Sequence, residues 1–148
     1  MRRFTFRENS FYGWDNQDPR FDMRHNQNEP LRFGWIVEID PHDPGSVPRK
    51  RTALGRFQHE GANTIVGRTG HVAAYMGDDR RSGQIWKFVS DADVVVDPND
   101  PRNRRLLESG TLYAARFNPD YTGRWIPLTP ATPLARPEPR HCAEGVLL

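Results

Sequence analysis

The chain has 148 residues, so one domain is the default. Its 13 prolines, 12 glycines and 36% hydrophobic residues argue against a helical bundle and for a loop-rich β protein. The balance of 21 basic against 19 acidic residues gives no reason to expect a nucleic-acid or membrane partner, and a single cysteine, Cys142, excludes an internal disulfide.

The N-terminal "MRRFTFRENSFYGW" is basic but has no apolar h-region, so it does not read as a secretion signal. Residues 1–31 are polar, aromatic and rich in turn formers, which predicts a long loop whose Phe11, Tyr12, Trp14 and Phe21 pack on a neighbouring surface. Strand signals begin with "RFGWIVEID" (32–40), closed by the turn residues of "PHDPGSVP" (41–48). "KRTALGRF" (50–57) alternates loosely, and "NTIVG" (63–67) and "HVAAYMG" (71–77) flank "RTG" (68–70) as a hairpin. "QIWKFVS" (84–90) is a further strand, and "PNDPRNRRLLESG" (98–110) predicts one short helix ended by Gly110. "TLYAARF" (111–117) and "RWIPL" (124–128) are the last strands, joined by "NPDYTG", before a proline-rich irregular tail over 129–148. No apolar run approaches the ~20 residues that span a bilayer.

The fold class expected is all-β, a single partial domain over 1–148 with its strands between 32 and 128. Short strands with frequent turns suit a sandwich or propeller blades. At roughly 40–45 residues per blade, the strand region amounts to about two blades, with open edges that favour association.

The chemistry-bearing signal is a set of acids at strand ends: Glu38, Asp40, Glu60, Asp78 and Asp79. Hard cations take several oxygen ligands at once, and adjacent acids at a strand end can face one ion. Taken alone, Asp78-Asp79 reads more plainly as a solvated turn, because aspartate is common there. His59-Glu60-Gly61 offers two metal-ligand types and a general base, but "HEGAN" lacks the second histidine and the helix of a zincin, and a polar strand end is the plainer reading. An EF-hand reading of 97–108 fails, since Pro101 and Arg102 stand where an oxygen ligand and a glycine are needed. In "RPE", Arg136 and Glu138 would lie on one side of an extended backbone, a guanidinium for phosphate beside a carboxylate for a cation. There is no Gly-rich phosphate loop and no G-x-S-x-G, and no cysteine-based triad surrounds Cys142.

Several segments recur together in one family. "RFGWIVEIDP", "KRTALGRFQHEGA", "YMGDD", "KFVS" and "GTLYAARF" resemble, in order, the central region of the PhoX-type bacterial alkaline phosphatases over about residues 18–128. "ATPLARPE" (131–138) resembles a degraded later segment, with Ala135 where the family has aspartate. The resemblance implies a β-propeller that hydrolyses phosphate monoesters with a calcium and iron cluster. It implies metal ligation by Glu60, Asp78, Asp79 and Glu138, and phosphate contact by Arg136. Family members are exported to the periplasm or beyond, whereas a chain without a signal would stay in the cytoplasm. The family's iron-binding cysteine lies upstream of anything present, and Cys142 does not match it. The chain therefore reads as an internal piece with little or no phosphatase activity of its own. The alternative is a non-catalytic, calcium-stabilised β module or structural remnant.

Overall fold

The computed structural model describes residues 12–130. Seven strands form in chain order: β1 (Val37–Glu38), β2 (Arg49–Lys50), β3 (Asn63–Val66), β4 (His71–Gly77), β5 (Ile85–Asp93), β6 (Gly110–Phe117) and β7 (Gly123–Pro127). They divide as five and two. β3 to β7 make one antiparallel meander in sequence order, and β1 pairs with β2 as a separate ribbon. The described residues contain no α-helix, so the expected all-β class is the one observed.

Period-two patterning sets the sheet. In β4, Val72, Ala74 and Met76 point to one face and are buried, while the residues between them are more exposed. The register carries that face across the sheet: Ala74 lies opposite Phe88, Met76 opposite Trp86, Phe88 opposite Leu112 and Trp86 opposite Ala114. Leu54 and Phe57 cover this face, and with Ala74, Met76 and Phe88 they form the core. Phe88 and Leu54 are wholly buried, each worth roughly 1.5–3 kcal/mol in removed apolar surface.

The hairpin expected at 68–70 forms, with Val66 opposite Val72 and the Gly70 amide donating to the Gly67 carbonyl at 3.0 Å. Where β4 and β5 slip register beyond Ala73, the Ser90 hydroxyl closes the irregularity. It accepts from the Val72 amide at 2.9 Å and donates to the Ala92 carbonyl at 2.7 Å.

Three expectations change. The apolar run 32–40 gives only the two residues of β1, because Glu29–Arg32 forms a 3-10 turn and Gly34 (φ 83°) bends the chain before Trp35. The run 50–57 crosses the core face as the 3-10 turn Thr52–Leu54 instead of pairing as a strand. The helix expected over 98–110 is a 3-10 turn, Pro101–Arg105, which Asp100 caps by accepting from the Arg102 amide at 2.8 Å. Gly110 does not end it but opens β6. A Cβ there would lie 2.2 Å from the Val89 carbonyl oxygen and 2.5 Å from the Phe88 ring, so the glycine is required by close strand packing.

Between Trp14 and Phe21 the chain makes two 3-10 turns. The aromatics stack in a row, Tyr12 on Trp14 (5.8 Å), Trp14 on Phe21 (5.6 Å) and Phe21 on Phe33 (6.3 Å). Tyr12 and Trp14 nevertheless remain 75% and 53% exposed, so the burial expected of them is replaced by ring-on-ring packing.

Candidate metal centre

The segment Gln58–Glu60 returns alongside the end of β4 and the turn that follows it. His59 and Asp78 form an antiparallel bridge. The Glu60 amide donates to the Gly77 carbonyl at 3.2 Å, and the Asp79 amide donates to the Gln58 carbonyl at 2.9 Å. On its other side the Asp78 amide donates to the Gln84 carbonyl at 3.2 Å. Asp78 is thus held between two backbone segments, and the fold brings the backbones of Glu60, Asp78 and Asp79 alongside one another. Arg136 and Glu138 lie outside the described residues.

The turn Asp79–Gly83 is tight. The Gly83 amide donates to the Arg80 carbonyl at 2.7 Å, and Ser82 takes a left-handed φ of 60°. A Cβ on Gly83 would stand 2.1 Å from the Asp78 carbonyl oxygen, so no other residue fits without opening the turn. Asp79 and Glu60 are exposed, while Asp78 is half-buried.

His59 completes the local arrangement. Its ring stacks on Phe57 at 3.6 Å between centroids, and Phe57 stacks on Trp86 at 5.3 Å. The Nε2 of His59 lies 3.2 Å from the Gly55 carbonyl. A carbonyl only accepts, so Nε2 carries the proton and Nδ1 presents a lone pair in the neutral ring. Burial pushes the His59 pKa below its ordinary value, against smaller opposing contributions from Gly55 and the Asp78 carboxylate. Both His59 Nδ1 and Asp78 Oδ1 are buried without a hydrogen-bond partner among the described residues. Two lone-pair atoms left unmatched on bridged residues call for a donor or a cation.

The other acids singled out in the sequence are spent on structure. Glu38 accepts from Arg51 Nε at 2.7 Å; Asp40 accepts from the His42 amide at 3.0 Å and lies 3.7 Å from Arg104. Buried Arg51 also donates to Glu108 at 3.2 Å and to the Arg104 carbonyl at 2.6 Å, tying the β1–β2 ribbon to the 101–108 region. Sequence reasoning put Glu60 forward ahead of His59. The clue available to it was the adjacency of "RFQHEG" to an apolar run, which places an aromatic shelf under the imidazole. Among the described residues, no three acid, histidine or cysteine side chains converge as a complete metal site.

The family described as "Alkaline phosphatase PhoX" matches residues 2–145. Among solved structures, the chain is similar to Pseudomonas fluorescens PhoX in complex with vanadate, a transition state analogue, at 50% identity and a TM-score of 0.73. That match covers 78% of this chain and 21% of the other, so the chain spans about a fifth of the solved relative. No curated protein matches.

Proposed function

We propose, on the premise that this chain belongs to the PhoX family of alkaline phosphatases, that it carries part of a metal-dependent phosphomonoesterase site on a propeller-type β scaffold. The observation that carries this reading is the pair of buried, unmatched acceptors, His59 Nδ1 and Asp78 Oδ1, on two bridged residues whose chain neighbours are Glu60 and Asp79. The meander order of β3 to β7 is that of a propeller blade with one strand more.

The donor set fits a hard cation. Three carboxylates supply oxygen ligands of the kind calcium prefers, and full coordination at six to eight oxygens needs others. Glu60, Asp78 and Asp79 would hold calcium, and Glu138 would add a carboxylate next to Arg136, whose fork would take the phosphate. Iron is implied by the resemblance alone, and no residue of this chain is assigned as its thiolate ligand. When bound, the metals neutralise phosphate charge and polarise the scissile bond. The chain's own part is positional: the His59–Asp78 bridge and the Gly83 turn fix the carboxylates, and the Phe57–Trp86 stack keeps water off the inner side.

Because the described acids and histidines do not close a site by themselves, the 148-residue chain is proposed to turn over a phosphate ester slowly or not at all. The test is turnover of a chromogenic phosphate monoester at alkaline pH with calcium and iron supplied, together with elemental analysis of the protein. Calcium bound without turnover agrees with this reading. Turnover at a rate typical of an enzyme overturns the partial-site proposal, and absence of both metals overturns the metal-centre reading.

A further inference from the structure

A second polar constellation lies away from the metal-centre acids. A pocket of about 280 Å³ opens between the 3-10 turn Pro19–Phe21, the turn Glu29–Arg32 and the β1–β2 ribbon. Its walls include Arg20, Glu29, Arg32, Phe33, Trp35 and Lys50. Three cations face one carboxylate. Glu29 is buried and lies between the two guanidiniums, with Oε1 3.2 Å from Arg20 Nε and Oε2 3.4 Å from Arg32 Nη1. The Oε1 contact is an ion pair off the line of a hydrogen bond.

This geometry orients the arginines more than it uses them up. The ion pairs of Arg20 run through Nε, to Glu29 and at 3.9 Å to Asp18, and its guanidinium lies over the Phe21 ring at 4.5 Å. Its terminal amino groups donate no hydrogen bond among the described residues. Lys50 gives one of its three donors to the Arg32 carbonyl at 2.6 Å and keeps two. The rear wall is fixed. Trp35 Nε1 donates to the Leu31 carbonyl at 2.9 Å, Arg56 Nε donates to the Phe33 carbonyl at 2.9 Å, and the Phe57 amide donates to the Gly34 carbonyl at 3.1 Å. The pocket is therefore bonded to the run that reaches His59 two residues later.

We infer that this pocket is a phosphoryl-anion site, distinct from the metal centre, in which the Arg20 and Arg32 guanidiniums and the Lys50 ammonium take a dianion. With Glu29 and the Arg20 partner Asp18 both counted, the cluster keeps a positive excess, and planar forks beside a point ammonium suit the several oxygens of a tetrahedral anion. The size admits inorganic phosphate or a small monoester, and the aromatic walls suit an aryl ester. No metal takes part, so the site stands or falls apart from the proposed phosphatase centre.

The test is a nitrogen-15 NMR titration of the full chain in chelator, with inorganic phosphate, phenyl phosphate and sulfate as separate probes. Saturable shifts of the Trp35 indole and of the Phe33 and Gly34 amides are expected, weakened at least tenfold in Arg20→Ala/Arg32→Ala and in Lys50→Met. Asp78→Asn should leave them unchanged. Tighter binding of phenyl phosphate assigns the site to an ester, and tighter inorganic phosphate assigns it to the free anion. No saturable shift, equal affinity in the charge variants, or sulfate binding as tightly as either phosphate overturns the inference.

Discussion

Arg51 shows how one residue can be read wrongly from composition alone. In the sequence it is one cation of an arginine-rich run, yet it is 2% exposed and joins Glu38, Glu108 and the Arg104 carbonyl. The hydrogen bond it donates to Glu38 leads the causes that raise its pKa. Arg51→Met should destabilise the fold by about 2 kcal/mol, less than the loss of a fully buried pair because both glutamates reach solvent. Urea unfolding followed by tryptophan fluorescence measures this. Asp100 gives a pH prediction. Its hydrogen bonds from the Arg102 side chain and then the Arg102 amide hold its carboxyl at about 2 against an ordinary 3.8. A depressed carboxylate stabilises the folded state above its unfolded pKa and loses that contribution as pH falls through the folded value. Thermal midpoints should therefore drop between about pH 4 and pH 2, and Asp100→Asn should lack that component while keeping a cap. The residues of the proposed site divide in the same way. Glu60, Asp78 and Asp79 were legible as acids at strand ends, whereas the orphaned Nδ1 of His59 was not, because it depends on pairing between distant segments.

At the scale of elements, β3, β4 and β6 follow the sequence pattern within one residue at each end, since β-branched and aromatic runs bounded by Gly-containing turns fix them locally, with period-two burial added in β4. The residues around 32–40 and 50–57 did not follow it. Their apolar content serves contacts made elsewhere: Leu54 and Phe57 cover the sheet, and Ile36 packs against the same core. Alternation cannot tell a strand from a lid when both bury every second or third side chain. Gly110 and Gly83 are the points where elements touch too closely for a side chain. Gly110→Ala should cost about 2 kcal/mol by forcing β5 and β6 apart. Gly83→Ala should instead open the Asp79–Gly83 turn and weaken calcium retention, with a smaller effect on unfolding. Comparing chemical denaturation with metal content separates the two outcomes.

For the molecule as a whole, the sheet has two unlike faces. One carries the core beneath the Thr52–Phe57 segment. On the other, Lys87 sits over the Tyr113 and Trp125 rings at 4.9 and 4.7 Å, with Tyr75 packed against Trp125 at 5.9 Å. Burial pushes the Lys87 pKa below its ordinary value, and the two ring faces offer the ammonium an attraction that works against that desolvation. The all-β class was legible in composition and turn spacing. The division of strands as five and two was not, because β1 and β2 are two residues long and their pairing depends on distant contacts such as Glu38 with Arg51. The account rests on one claim above the others: that the backbone bridge between "QHE" and "GDD" assembles carboxylates for a hard cation. The most direct measurement is a calorimetric titration of calcium into the chelator-stripped chain and into Asp78→Asn. The account predicts one saturable site in the parent, weakened at least tenfold in the variant, with both proteins equally folded by circular dichroism. Calcium binding of equal strength in the two proteins, or none in the parent, would contradict it.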